Sequence, residues 1–226
     1  MILSSRKGRR SYGPRKYKAG YSGSIPEQLG DVRPPLLKQG GLRRNMEYNQ
    51  IVTLKNGEQC CLRNGTEKDA QAVLDNFQLT HSETDYLLSY PDENSFDVKQ
   101  ESRFLKEKTE SKNGIEIIAV VDGCVVGTAG IEAVGTKYKV RHRAEFGISV
   151  AKAYWGLGIG QALLAACVEC AKAAGYLQLE LDAVAENARA LSMYQKAGFV
   201  EYGRNPKGFC SRVTGFQEVV HMRLEL

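Results

Sequence analysis

Residues 144–164 read AEFGISVAKAYWGLGIGQALL: a strand pattern, then Gly156, Gly158 and Gly160 on alternate positions, then an apolar helix pattern. A loop from a strand into a helix is a natural anion seat. The first helical N–H groups have no intrahelical acceptor, and the helix dipole favours negative charge there. Glycines strip such a loop of side chains and let phosphate oxygens reach the backbone. By itself the stretch is equally a tight strand-to-helix turn. A Walker A loop is excluded, because Gln161 and Ala162 follow Gly160 where Lys and Ser/Thr belong. A dinucleotide fingerprint needs G-x-G-x-x-G, whereas the spacing here is G-x-G-x-G. Glu180 does stand about 20 residues on, where a ribose-binding acid is expected. That motif opens its domain, however, and most of this chain precedes the loop.

Outward from the loop, Ile159, Leu163, Cys167, Cys170 and Ala174 recur at helical spacing, with Gly175 as the residue that ends the helix. Residues 177–184 (LQLELDAV) alternate as a strand, Asn187 caps a short helix ending at Gly198, and strands are expected over 199–204 and 217–226. Upstream, residues 50–63 form a hairpin with Asn56-Gly57 as a type I′ turn. Thr66 and Asp69 start a helix running to about residue 79, and a polar helix covers about 98–111. Residues 114–134 are a second hairpin turning at Asp122-Gly123. The order β-β-α-α-β-β-β-α-β-α-β-β is too mixed for a doubly wound sheet.

With 226 residues, 42% of them hydrophobic, the chain can build one α/β domain with or without a tail. No window approaches 18 consecutive apolar residues, so no membrane span is expected, and the first residues lack the apolar core of a signal peptide. Charge is uneven. Residues 1–45 carry 11 Lys/Arg against Glu27 and Asp31, a net of +9, while the remainder carries 20 against 24, a net of −4. The segment 1–45 is expected to be a disordered basic extension, open to a nucleic-acid or membrane-surface role. A second reading starts the native chain at Met46, since codons for Lys38-Gln39-Gly40-Gly41 can spell a bacterial ribosome-binding sequence. The domain from 46 to 226 is mildly acidic and shows no nucleic-acid stripe. Of the six cysteines, Cys60 and Cys61 alternate on a strand, Cys124 lies in a valine-rich strand, and Cys167 and Cys170 share a helix. With His81, His142 and His221 scattered singly, no zinc set forms. Buried reduced thiols in a cytosolic protein are expected.

Two segments together carry a resemblance. Residues 144–164, and residues 185–204 (AENARALSMYQKAGFVEYGR), closely resemble motifs A and B of the GNAT acyltransferase superfamily. The second matches N-x-x-A-x-x-x-Y-x-x-x-G-F through Asn187, Ala190, Tyr194, Gly198 and Phe199. One departure is Trp155, at the position that usually holds Gln or Arg. That loop works through backbone N–H groups, so binding is expected to survive.

The resemblance implies a mostly antiparallel sheet with two splayed parallel strands and flanking helices, with acetyl-CoA as co-substrate lying between those strands and no metal. The diphosphate would sit on the N–H groups of Trp155, Gly156, Leu157, Gly158, Ile159, Gly160 and Gln161. The pantetheine would pair like a strand with Ile148, Ser149 and Val150, and Asn187 would contact it or simply cap its helix. Glu145 would be the general base, acting directly or through water, because a lysine-like amine with a pKa of about 10.4 arrives protonated. A strand N–H, of Ile148 or its neighbour, would hold the oxyanion, and Tyr194 would protonate the departing thiolate. The acceptor site would be built from about 81–94 and 205–215. His81, Glu83, Asp85, Asp92 and Glu93 make the first of these loops acidic, which suits a cationic amine or a solvated loop equally. His142 and His221 have no assigned role. The expected function is N-acetylation of a small-molecule or peptide amine in the cytoplasm; a non-catalytic CoA-binding domain is the alternative. A homodimer is compatible with the sequence.

Overall fold

A computed structural model describes residues 46–226. The basic segment 1–45, with both readings of it, lies outside the described residues. In chain order the elements are β1 (Asn49–Thr53), β2 (Gln59–Asn64), α1 (Ala70–Glu83), α2 (Val98–Glu110), β3 (Ile115–Val121), β4 (Cys124–Ala133) and β5 (Arg143–Val150), then α3 (Ile159–Ala174), β6 (Gln178–Val184), α4 (Ala188–Lys196), β7 (Val200–Ser211) and β8 (Gly215–Glu225). This is the order expected from the sequence. The strands form one sheet, β1-β2-β3-β4-β5-β6-β8-β7, in which only β5 and β6 run parallel.

The sequence alternation sets the two faces. On β3, Ile115 and Ile117 join Ile131 and Phe146 against Leu163 and Cys167 of α3. The neighbouring Ile118 points to the other face, where it packs with Ala70 and Val73 of α1 and Leu105 of α2. The site arises where the sheet opens. β5 and β6 pair only through Arg143–Glu145 with Gln178–Glu180, yet β4 follows β5 to Val150 and β8 follows β6 to Val184. Each strand keeps its outer ladder, so the inner edges can part without unravelling either half of the sheet.

Several local expectations change. Asn56-Gly57 is not a type I′ turn: Gly57 has φ +90 but Asn56 does not share the positive φ, and Gly57 N–H donates to Leu54 O at 2.9 Å. It is a three-residue loop ending in a left-handed glycine, the commonest alternative. The type I′ signature belongs to the second hairpin, where Asp122 (φ 47) and Gly123 (φ 78) are both left-handed. The stretch 205–208 (NPKG) bulges within β7 instead of ending it, so β7 and β8 are longer than their turn residues suggested. Cys60, Cys167 and Cys170 are buried as expected, but Cys124 follows the hairpin turn and is exposed, as is Cys210 on β7. Thr66 and Asp69 do start the first helix: the Asp69 carboxylate accepts the Thr66 N–H at 2.8 Å. Arg63 grips it through two 2.8 Å contacts and, chiefly for that reason, it is acidified to about 2.

Glu116 is buried on the α1/α2 face of β3, and its burial lifts the carboxyl to about 7 against the pull of Lys108. A folded-state value above the unfolded one, 4.5, means the folded protein holds the extra proton. Its stabilising contribution is therefore complete below pH ~4.5 and lost as pH rises through ~7, a swing of about 3 kcal/mol. Glu116→Gln is expected to flatten the fall in melting temperature between pH 5 and 8, as measured by calorimetry (about those limits). An unchanged slope would show that Glu116 does not titrate in that window.

Candidate functional site

Where β5 and β6 part, a cleft of about 750 Å³ opens, within the range of small-molecule sites. Its inner wall is Phe146, Gly147, Ile148, Ser149 and Val150 of β5, facing Leu181, Asp182, Ala183 and Val184 of β6. The glycine loop closes one end. Gly156 and Gly158 hold φ values of +85 and +102, and Gly158 is the N-cap of α3. The helix thus begins at the loop with its first-turn N–H groups lacking carbonyl partners of their own. Trp155 folds back so that its Nε1–H donates to Val150 O at 2.6 Å, and the Arg189 guanidinium stands 5.3 Å from the Trp155 ring. The polar side chain lost at this position is therefore replaced by an indole that ties the loop to the end of β5.

Asn187 caps α4, its Oδ1 accepting the Ala190 N–H at 3.2 Å, and it also lines the cleft. Tyr194, one turn from the end of α4, is 6% exposed. Its ring meets Phe146 edge-on at 6.2 Å and Phe199 at 5.9 Å. Burial drives the phenol well above its ordinary value, so it stays protonated across the working range.

The cleft gathers most of the residues singled out in the sequence: Ile148, Ser149, Val150, Trp155, Gly156, Gly158, Gly160, Gln161, Asn187 and Tyr194. Three others lie outside its lining. Ile159 is core, and Leu157 packs against the core while its carbonyl accepts the Lys55 N–H at 3.1 Å. Glu145 is exposed, one residue before the lining begins, opposite Glu132 on β4 and Glu180 on β6.

The loops expected to hold an acceptor are joined to one another. The Asp85 carboxylate accepts from Ser211 Oγ (2.6 Å), Thr214 Oγ1 (2.9 Å) and Tyr90 OH (3.1 Å). Asp92 takes Arg212 at 2.8 Å, and Glu83 accepts the Lys152 N–H at 2.7 Å. His81 is buried, stacked on Phe77 at 3.7 Å. α1 runs on to Glu83, past the expected end near 79, so His81 and Glu83 are helical. Glu83 fastens the start of the glycine loop, and Asp85 and Asp92 of the loop fasten the β7–β8 hairpin. Thr80, Thr84, Tyr86 and Leu87 supply the cleft's wall on that side. Lys55, brought by the β1–β2 turn, was also missed in the sequence. Among the described residues no group of three or more His, Cys, Asp or Glu could hold a metal ion, and no helix is long and apolar enough to cross a membrane.

The family model described as the acetyltransferase (GNAT) family matches residues 77–199, which include the splayed strands, the glycine loop and α4. The chain belongs to the GNAT acetyltransferase family. The GNAT chain is 32% identical over 104 residues to the L-amino acid N-acetyltransferase AaaT of Escherichia coli strain K12, a match spanning 45% of this chain and 64% of AaaT. It is similar in structure to a GNAT-family acetyltransferase from Streptococcus pneumoniae, with a TM-score of 0.71 and 28% identity over 74% of this chain and 99% of that one. The GNAT fold also superposes on yncA from Salmonella typhimurium, solved with its cofactor acetyl-CoA, at a TM-score of 0.64 and 18% identity over 74% and 94% of the two chains.

Proposed function

We propose that the protein transfers the acetyl group of acetyl-CoA to a primary amine of a small molecule or peptide, by direct attack within a ternary complex. The observation that carries this is the parting of β5 and β6 around a cleft with the glycine loop at one end and the buried Tyr194 on its wall. The diphosphate is assigned to the loop N–H groups, Leu157 and Ile159 contributing backbone only. The pantetheine is assigned to the edge of β5 that β6 leaves. Acetyl-CoA bound to the similarly folded yncA, and the activity in AaaT's name, support the same assignment.

Direct attack is favoured over an acetyl-enzyme because no cysteine is among the residues lining the cleft. The Cys167 thiol is also pushed up by burial, as is Cys170, to about 11, so neither is a ready nucleophile. Glu145, exposed just beyond the inner end of the cleft, is assigned as the base acting through water, and Tyr194 as the acid for the thiolate. The free thiols agree with a cytosolic setting.

Thiol release from acetyl-CoA against L-amino acids, an alanyl peptide, a polyamine and an aminoglycoside tests the activity. At least one amine should be acetylated, and Glu145→Gln should lower turnover without weakening acetyl-CoA binding. A protein that binds acetyl-CoA tightly but acetylates none of them would be a binding domain instead. Arg189, beside Trp155 at the mouth, is assigned to the CoA phosphates. Arg189→Ala is expected to raise the acetyl-CoA Kd about tenfold, measured by calorimetry, with kcat unchanged.

A further inference from the structure

Asp182 and His221 are register partners on β6 and β8, and His221 Nδ1 lies 2.7 Å from Asp182 Oδ1. Asp182 is two residues beyond Glu180, the last residue of β6 that β5 pairs, so its side chain leaves the sheet on the same face as Glu180 and Glu145. That is the face covered by α1 and α2, since Ser149, two steps further on β5, pairs with Thr128, which pairs with Ile118. The matching position on β5 is Gly147, which lines the cleft with no side chain. Thr80, Thr84 and Tyr86 stand on the α1 side of the same cleft. The inner end is thus a recess lined by the Asp182 carboxylate, with room opposite it and Glu145 just beyond.

Two of the neighbouring carboxylates, Glu180 and Glu225, are paired with arginines, and Glu145 is the one assigned as the base. Glu180 is paired with Arg143, whose Nη2 lies 2.6 Å from Glu180 Oε2, and Arg223 reaches Glu225 at 3.4 Å. Asp182's one ion-pair partner among the described residues is His221, with the Tyr202 ring 5.9 Å behind the imidazole. That contact from the imidazole fixes the orientation of the carboxylate. Tyr194 and Phe146 approach the cleft from the opposite face, the α3 side. A thioester lying in the cleft would therefore have the leaving-group acid on one face and the Asp182 carboxylate on the other.

We propose that Asp182, held in orientation by His221, is the seat for the ammonium of the acceptor amine. The proposal rests on the acetyl-transfer assignment of the same cleft. Asp182 contacts the acceptor, whereas His221 is a positioning residue acting through it.

The test uses the full chain, acetyl-CoA and the amine panel above. Wild type should acetylate at least one amine of that panel. Asp182→Asn should raise KM for that amine at least tenfold, with kcat and the acetyl-CoA KM within about threefold. His221→Ala should raise the same KM by less, and His221→Asn, which keeps an amide N–H for Asp182, should restore it. An active wild type whose amine KM is unmoved by Asp182→Asn overturns the proposal alone. So does a variant in which the amine KM and acetyl-CoA KM rise together, which marks the pair as structural. A wild type that binds acetyl-CoA and acetylates nothing overturns the acetyl-transfer assignment and the seat with it.

Discussion

Tyr194→Phe is expected to lower kcat about a hundredfold while leaving the acetyl-CoA Kd within about twofold, the usual size of a lost general acid. The substitution removes one oxygen and keeps the ring that packs edge-on against Phe146 and beside Phe199. Fold and cleft shape should therefore survive, and the melting temperature should barely move. Burial keeps the phenol in its protonated form, so a proton is present at this position when the thiolate departs. A thiolate leaving from acetyl-CoA is a base that gains from such a donor. Binding can be followed separately from turnover, because Trp155 is the only tryptophan of the chain and lines the cleft, so its fluorescence reports acetyl-CoA. A variant with normal kcat would remove Tyr194 from the chemistry and leave it a packing residue.

Gly158→Val should weaken acetyl-CoA binding about a hundredfold or more, the second large effect. The backbone at Gly158 sits at φ +102, where a β-branched residue costs about 1–3 kcal/mol. A Cβ at this position would meet no protein atom within 4 Å, so the protein itself has room for it. Gly158 lines the cleft, and that room is where the diphosphate is assigned. The side chain would thus disturb the loop conformation and occupy the ligand's space together, with only a few degrees lost in melting temperature. Titration of the Trp155 fluorescence checks this directly. An affinity matching wild type would mean the diphosphate lies elsewhere.

Much of the fold was legible because it is written in local signals. Strand and helix periods, Asn187 as a cap and Gly175 behind α3 gave the element order, and the spacing of Asn187, Ala190 and Tyr194 after the glycine loop gave the family. What escaped depends on contacts between distant segments. The loop around Asp85 reads equally as an acidic acceptor surface or a solvated loop, and only the β7–β8 hairpin, 126 residues on at Ser211, shows what its carboxylate holds. Asp182 and His221 are 39 residues apart, and nothing local in either strand announces that their register aligns them. Lys55 reaches the cleft only because the β1–β2 turn donates to Leu157 O. The NPKG stretch carried turn chemistry that β8 overrode by pairing beyond it.

Initial velocities over a grid of acetyl-CoA and acceptor-amine concentrations test the central claim most directly. Direct transfer between β5 and β6 predicts double-reciprocal lines that intersect, because both substrates must be bound before the carbon–sulfur bond breaks. Parallel lines, with acetyl-CoA releasing its thiol before any amine binds, would show an acetyl-enzyme and contradict it.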